Sequence, residues 1–559
     1  MKVIHKIYVI ALVLSMFSSH VYAQFTINGR TAIYDKLTNT YMVSIPEEAF
    51  GRDYAAQILL DEDSAWTHLS IDGENVSDSY LFKRVEANKE YCITALKNQE
   101  KVNTKITFTF LPILYLQGDF GYDYAKGKIA LYVPDVDLPI TSSIKAKWRG
   151  GSTNTADKHK RNYKIKTLNE KGKSQDVAFL GMREDNNWIL DAGQIDLFRL
   201  RNRIATELWN DFASKPYYAD KEPKAKSGVS GKVVEVVLNN EYRGIYSLTE
   251  AMDRKELKLK KYDEKKKEFH GQLWKVSSWD KAQFWSIDPD YDNTLETWHA
   301  FETKYPDIED VNPTDYSLLY NAINFVANSD NETFKREVGE YFDIPVLIDY
   351  QIFLEVMQAI DNRGKNMYWA VYDKAKDKKL TLAVWDLDAT VGQFYACGTP
   401  LHPEIVQPQT DIMVESYHYL YERLYENNVG DYANLVIDRY KELRKTYLSE
   451  ESLLSRYRKY YEMLSTSGAA KREEKRWSQD SDIGGYPLDF QEELGYIEDW
   501  MHKRLQFLDQ KMSSNPTGIM RVEDSNSTRK IKRYNVFGQE VDSSYRGIQV
   551  IKGKKYLNK

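Results

Sequence analysis

Read as a string of apolar and polar positions, the chain changes period along its length. From Phe25 to about Pro112 the segments "FTING", "TYMVSIP", "AAQILLD", "AWTHLSIDG", "EYCITALK" and "KITFTFLPILYLQG" alternate apolar and polar residues between Gly, Asn and Asp turns. That period of two predicts a small all-β sandwich over residues 24–114, an accessory unit with no visible catalytic group. Residues 115–512 read as mixed α and β. "KIALYVPD", "SIKAKWRGG", "NYKIKTLN", "NNWILDA", "VVEVVLNN" and "RGIYSLTEAM" predict strands or hairpins. "IDLFRLRNRIATELWNDFA" predicts an amphipathic helix with Phe198, Ile204, Leu208 and Trp209 on its core-facing stripe. After about Asp307 the pattern is mainly helical. "YFDIPVLIDYQIFLEVMQA" places Asp343 at an N-cap and Pro345 in the first turn, so a helix should run to about Ala359. Residues 513–559 read as a polar linker and a short β-hairpin tail.

Composition narrows the class. The 559 residues suffice for three or four domains, and 42% hydrophobic with 13% aromatic residues describes a globular chain with a large core. A net charge of −6 gives no argument for a nucleic-acid partner or an anionic membrane surface. The lysine run "DRKELKLKKYDEKKKEF" does not change this, because Asp and Glu interleave its lysines as on a solvated helix face. Lys2 and Lys6, the apolar run "IYVIALVLSMF" and "VYA" form a signal peptide over residues 1–23, so the mature protein is expected in the periplasm, at the cell surface or outside the cell. No later run is long enough to span a bilayer. Cys92 and Cys397 are too few and too far apart for a disulfide framework; export would permit a bridge between them, and separate buried thiols are an equally good reading.

The chemistry concentrates in "AIDNRGKNMYWAVYDKAKDKKLTLAVWDLDATVG", residues 359–392. "NMYWAVYD" and "KKLTLAVWDLD" flank a polar turn and predict a hairpin, which folds its outer ends together. Asp361 and Asn366 should therefore approach Asp386 and Asp388, a hard-oxygen set suited to Mg²⁺ or Mn²⁺. A D-x-x-x-x-N segment followed by a hairpin and a strand-terminal Asp is the order in which protein kinases place a base, a metal-binding Asn and a metal-binding Asp. The same residues are ordinary turn formers, and Asp386 with Asp388 also matches the loose D-x-D pattern of metal-dependent sugar transferases.

A phosphoryl-transfer site also needs a cation on the phosphates. Lys164 and Lys166 alternate around Ile165, so a strand puts both lysines on one face. Glu207, on the following helix, could pair with one of these lysines or with Arg203 one helical turn away.

Four stretches in order, "KWRGGST", "RNYKIKT", "VVLNNEYRGIYSLTE" and the 359–392 segment, resemble the signature blocks of CotH-type kinases, atypical secreted protein kinases named after a spore-coat protein. The resemblance runs from about Leu116 to Met512. It implies an α+β chain with an atypical bilobal protein-kinase-like fold behind the β-sandwich, and an ATP cleft between the lobes. It implies Asp361 as the catalytic aspartate, Asn366 and Asp386 as metal-binding with Asp388 beside them, and Lys166 as the phosphate lysine with Lys164 as its alternative. Glu207 would orient that lysine and Glu250 would line the nucleotide pocket. Arg149, Gly150 and Ser152 belong to a loop that would approach the phosphates through backbone N–H groups. The sequence departs from ordinary kinases in lacking a G-x-G-x-x-G loop, and in having "AID" for His-Arg-Asp and "DLD" for Asp-Phe-Gly. "RGGST" also differs from an "RGNSS"-like family form. The tail "YNVFGQEV…RGIQVIKGKK" resembles tail modules of exported proteins from the Bacteroidetes. The expected function is metal-dependent transfer of the ATP γ-phosphoryl group to Ser or Thr of an exported protein acceptor. Transfer of a nucleotidyl group, and a catalytically weak or inactive surface-binding module, are the alternatives.

Overall fold

A computed structural model describes residues 25–513 except 62, 63, 65, 98, 280 and 396–401, together with the backbone of short strands between 533 and 558. Residues 1–23, which the sequence reading assigns to a signal peptide, and Cys397 lie outside the described residues. Among the described residues no helix is long and apolar enough to cross a membrane. Cys92, expected to be buried, is exposed and free, because it sits on an outward position of its strand.

The first strands form two sheets. One orders Arg30–Thr31, Phe25–Ile27, Tyr54–Leu60 and Ser79–Phe82. The other orders Ile33–Asp35, Thr40–Ser44, Glu100–Thr109, Tyr91–Lys97, Trp66–Ile71 and Glu74–Val76. Alternate residues of the Tyr91–Lys97 strand are buried, as period-two patterning requires. The inward side chains, Phe25, Tyr41, Trp66, Phe82 and Phe108 among them, share one apolar core.

The run "KITFTFLPILYLQG" is two strands, not one. The chain breaks near Pro112, and Ile113–Gln117 enters a different sheet, a closed barrel of seven strands. Around it follow Ala125–Tyr132, Ile140–Arg149, Asn162–Leu168, Asn187–Asp191, Glu241–Glu250 and Gly231–Leu238, which returns parallel to Ile113–Gln117. Leu116, Ile144, Ile165, Trp188, Val234 and Leu248 fill the interior. Ile33 and Met42 of the preceding sheet pack with Ile113, Ala130 and Val237 of the barrel.

The helix after the fifth barrel strand in sequence runs Arg201–Phe212. Its start is set by Asp196, whose carboxylate accepts the N–H of Phe198 at 2.8 Å and of Arg201 at 2.7 Å. Phe198, Ile204, Leu208 and Trp209 are all buried, which is the stripe the sequence predicts. The lysine run does not form one solvated helix. Only Arg254–Leu257 is helical, and the helix stops at Lys258 in the left-handed region (φ 54°). Leu257 and Leu259 turn inward at this point, so local helix propensity yields to apolar burial.

A five-stranded sheet follows, ordered Thr297–Trp298, Phe301–Tyr305, Gln272–Val276, Met367–Val371 and Thr381–Val384. Its last two strands are the expected hairpin, with Met367 opposite Val384 and Tyr368 opposite Ala383. The helix Ile344–Met357 delivers the chain to them, with Pro345 in its first turn and Gln358 in the left-handed conformation at its end. Asp343 is its N-cap residue, but the Asp343 carboxylate accepts the N–H of Tyr217 at 2.8 Å instead of capping the helix. Further helices, including Glu450–Thr466 and Phe490–Ser513, complete this part.

The tail, residues 511–559, is a separate compact unit. Its strands Glu540–Val541, Arg533–Asn535, Gly547–Ile551 and Lys554–Asn558 pair in that order as one small sheet, larger than a hairpin.

Candidate active site

The residues before and after the hairpin are sewn together by one buried side chain. Asn362, fully buried, donates Nδ2 to the carbonyl of Asn366 at 3.0 Å and to the carbonyl of Trp385 at 2.8 Å. Tyr350, from the preceding helix, donates its hydroxyl to the Asn362 carbonyl at 2.7 Å. The two residues that flank the hairpin, Asn366 (φ 57°) and Asp386 (φ 58°), both adopt the left-handed backbone region. Asn and Asp tolerate that region best after glycine, and there it turns each chain end out of its strand at a cost of order 1–2 kcal/mol.

Asp361 is buried in the short turn Ile360–Arg363. Its Oδ1 accepts the Trp279 indole N–H at 3.0 Å. Its Oδ2 accepts the Asn366 amide at 2.8 Å and lies 3.1 Å from Lys365 Nζ. Burial raises its pKa above the ordinary carboxylate value and the charge of Asp386 adds to the rise, while Lys365 and the Trp279 hydrogen bond oppose it.

Asp386 and Asp388 leave the second hairpin strand in a loop held from several sides. The Leu387 N–H between them donates to Asn202 Oδ1 at 3.0 Å. Thr390 Oγ1 donates to the Leu387 carbonyl at 2.9 Å, and the Val391 N–H donates to the Met357 carbonyl at 2.8 Å. Asn202 also donates Nδ2 to Asp191 at 2.6 Å, so one asparagine links a barrel strand to the D-L-D loop. Burial raises the pKa of Asp388 well above the ordinary carboxylate value, and the neighbouring Asp386 and Asp191 push it further. Asp191 is raised by burial as well. The charges of Asp386 and Asp191 thus act on Asp388, and a divalent cation would relieve that repulsion. The oxygen-only donors of Asn366, Asp386 and Asp388 fit a hard ion such as Mg²⁺ or Mn²⁺.

The barrel supplies the opposite charge. Arg149 sits over the Trp385 ring, 5.3 Å from its centroid, and shares a cavity lining with Asp191, Asn202 and Asp386. Gly150 (φ 125°) follows, and a Cβ there would meet Thr153 Oγ1 at 2.3 Å, so only glycine permits this tight turn. Ser152 is exposed at the start of the next turn, Ser152–Asn154. Ile165 points into the barrel core and leaves Lys164 and Lys166 on the other face. There the ladder sets Lys164 directly opposite Lys147, and Lys166 directly opposite Lys145. Like charges directly opposite are unfavourable unless an anion joins them. Lys145, Lys147 and Lys166 lie 5.2, 5.0 and 5.4 Å from the centroid of the Tyr124 ring. Burial lowers the Lys164 pKa, and Lys166, Lys147 and Arg149 lower it further. Lys304, on the five-stranded sheet and paired with Glu302, is lowered to about 8 by burial and by Lys275 and Lys164, with Glu296 and Asp307 opposing the fall. Lys275 is lowered by burial and held up by Asp386.

Two sequence-derived partners resolve differently. Glu207 does not join the strand lysines. It lies 3.3 Å from Arg203 Nε and accepts the Tyr460 hydroxyl at 2.7 Å, the helical-turn pairing that competed with the lysine contact. Glu250, buried at the end of its barrel strand, accepts the N–H groups of Arg183 at 2.9 Å and Ser230 at 3.2 Å. It fixes the strand end through backbone contacts. Beyond it, Ala251 and Met252 join Ile189, Tyr368 and Trp385 in an apolar cluster shared by the barrel and the five-stranded sheet.

Sequence reasoning missed Asn362, Asn202, Trp279, Lys365 and Asp191. Asp191 had a usable signal, since it closes the apolar run "WIL" as Asp386 closes "LAVW". The asparagines and Trp279 had none, because their roles come from contacts distant in sequence.

A family model described as "CotH kinase protein" matches residues 146–508. No curated protein matches the chain. The matched stretch contains Arg149, Lys164, Lys166, Asp361, Asn366, Asp386 and Asp388, and excludes the N-terminal sheets and the first two barrel strands in sequence.

Proposed function

Because this chain belongs to the CotH kinase family, we propose that it is a secreted, metal-dependent atypical protein kinase. It moves the γ-phosphoryl group of ATP to a Ser or Thr hydroxyl of an exported acceptor protein. The observation that supports this reading is that Asn362 ties Asn366, itself bonded to Asp361, to Trp385, the residue before Asp386, while Arg149 of the barrel lines one cavity with Asp386. The barrel and the part holding the five-stranded sheet act as the two lobes, with ATP between them. The sheets of residues 25–109 and the tail are mounting modules.

Asp361 takes the proton of the acceptor hydroxyl. As the new P–O bond forms, the bond from the γ-phosphorus to its bridging oxygen breaks and ADP leaves. Trp279 and Lys365 hold the Asp361 carboxylate in position, and its raised pKa strengthens it as a base. Asn366, Asp386 and Asp388 would hold Mg²⁺ or Mn²⁺. When bound, such an ion neutralises charge on the phosphates. Lys164 is the better placed phosphate ligand, since Arg149 and Lys304 share its surroundings, while Lys166 extends the basic face. Arg149 and the backbone of Gly150 and Ser152 close over the phosphates.

Incubating the protein with ATP labelled at either the α or the γ position, in Mn²⁺ and with a casein-like acceptor, tests this. Protein-bound γ-label supports the kinase. Protein-bound α-label marks nucleotidyl transfer, and ATP binding without label transfer marks a binding module.

A further inference from the structure

Outside that site, a group of donors among the described residues is arranged to suit a metal ion. The segment after Gly150 leaves the barrel and returns through His159 to the Asn162–Leu168 strand. There His159 meets the turn between the helices Ala469–Trp477 and Phe490–Ser513. His159 Nδ1 lies 2.9 and 3.2 Å from the two carboxylate oxygens of Asp480. Asp482, only 2% exposed, accepts the N–H groups of His159 at 2.9 Å and Lys160 at 2.8 Å on its Oδ2. Its other oxygen, Oδ1, is buried with no hydrogen-bond partner. One ligand atom from each of His159, Asp480 and Asp482 can be chosen so that all three lie within 4.8 Å of one another.

A buried carboxylate oxygen without a donor costs about 1–3 kcal/mol. Neighbouring cations do not supply that donor. Lys160 Nζ is committed to Glu473 at 2.7 Å and the Ile245 carbonyl at 2.7 Å, and Arg243 donates to the His159 carbonyl. Two donors on one tetrahedral ion, at roughly 2.0–2.2 Å each, stand about 3.3–3.6 Å apart, so the His159–Asp480 separation of 2.9–3.2 Å has to open by only a few tenths of an ångström. Imidazole nitrogen with two carboxylate oxygens suits a borderline ion of the zinc class better than the oxygen-selective Mg²⁺ and Ca²⁺. The half-exposed His159 leaves the site open to solvent on one side.

We propose that His159, Asp480 and Asp482 bind a divalent transition-metal ion of the zinc class, which ties the loop after Arg149 to the C-terminal helices. The tie joins residues 321 apart in sequence. Occupancy therefore stabilises the fold and restrains the loop that carries Gly150 and Ser152. This site is separate from the Asp386 group and stands whether or not the chain is a kinase.

Zn²⁺ is titrated calorimetrically into the chelator-stripped full chain in excess Mg²⁺, which keeps the Asp386 group filled. The wild type is expected to bind one Zn²⁺ and to gain in melting temperature. His159→Ala removes a half-exposed side chain, and should weaken that binding on the order of 100-fold and abolish the gain. Asp480→Asn, which keeps an acceptor for the Asp482 N–H, should weaken binding as well. Hydrogen exchange of residues 150–161 should slow on adding Zn²⁺ to the wild type only. Wild-type protein that takes up no Zn²⁺ in excess Mg²⁺, or variants that bind it as the wild type does, would overturn the assignment.

Discussion

Asn362 Nδ2 lies 2.8 Å from the carbonyl of Trp385, and that bond holds the Ile360–Arg363 turn against the residue preceding Asp386. Asn362→Ala leaves two buried carbonyls without this donor. We expect a stability loss of about 1–3 kcal/mol in urea denaturation. Where the variant remains folded, kcat should fall far more than the KM for ATP changes, because the basic face is untouched while the two loops lose register.

Asn366 separates backbone strain from chemistry. Glycine suits φ 57° better than asparagine does, and that relief offsets part of the cost of losing the hydrogen bond to Asp361, so Asn366→Gly should stay folded with a melting temperature modestly below that of the wild type. It also removes the amide that donates to Asp361 at 2.8 Å and, on the proposed reading, an oxygen donor for the ion. Transfer should drop at least 100-fold while the fold is intact, read by label incorporation beside a thermal melt.

The lysine choice is open to a direct comparison. Lys164→Met should raise the KM for ATP more than Lys166→Met does, since Lys164 shares its surroundings with Arg149 and Lys304. Glu207→Gln should leave ATP affinity within about twofold of wild type, because its partners are Arg203 and Tyr460.

Lys304 predicts a pH dependence. Its pKa falls from 10.5 to about 8, so between those values the unfolded chain binds the extra proton and the folded one does not. Its contribution to stability is therefore present at high pH and lost as pH falls through about 8. An anion on the basic face reverses that loss by favouring the charged form. Tripolyphosphate should raise the melting temperature more at pH 7 than at pH 9, with proton uptake on binding near pH 8. Lys304→Met should flatten both effects.

The hairpin and its acids are legible in the sequence because strand period, turn composition and the strand-terminal Asp386 are all local features. The Asp343–Pro345 helix start is local too, although Asp343 spends its carboxylate on Tyr217. What escapes reading is set by contacts distant along the chain. Asn202 joins Asp191 to Leu387 across 185 residues, and no spacing announces it. The barrel closes through a parallel pairing of Ile113–Gln117 with Gly231–Leu238, which splits an apolar run that reads as one strand. Glu207 had two feasible partners, and the nearer one on its own helix is realised. The lysine run fails as a helix because Leu257 and Leu259 are drawn into the core.

The central claim is that Asp386 holds the ion for γ-phosphoryl transfer. Asp386→Asn is the sharpest probe, because asparagine keeps the left-handed backbone while removing the charge. With γ-labelled ATP across a Mn²⁺ titration, the account predicts metal-dependent labelling by the wild type. The variant should lose that labelling at least 100-fold with its melting temperature unchanged. Equal labelling by both proteins, or labelling independent of metal, would contradict it.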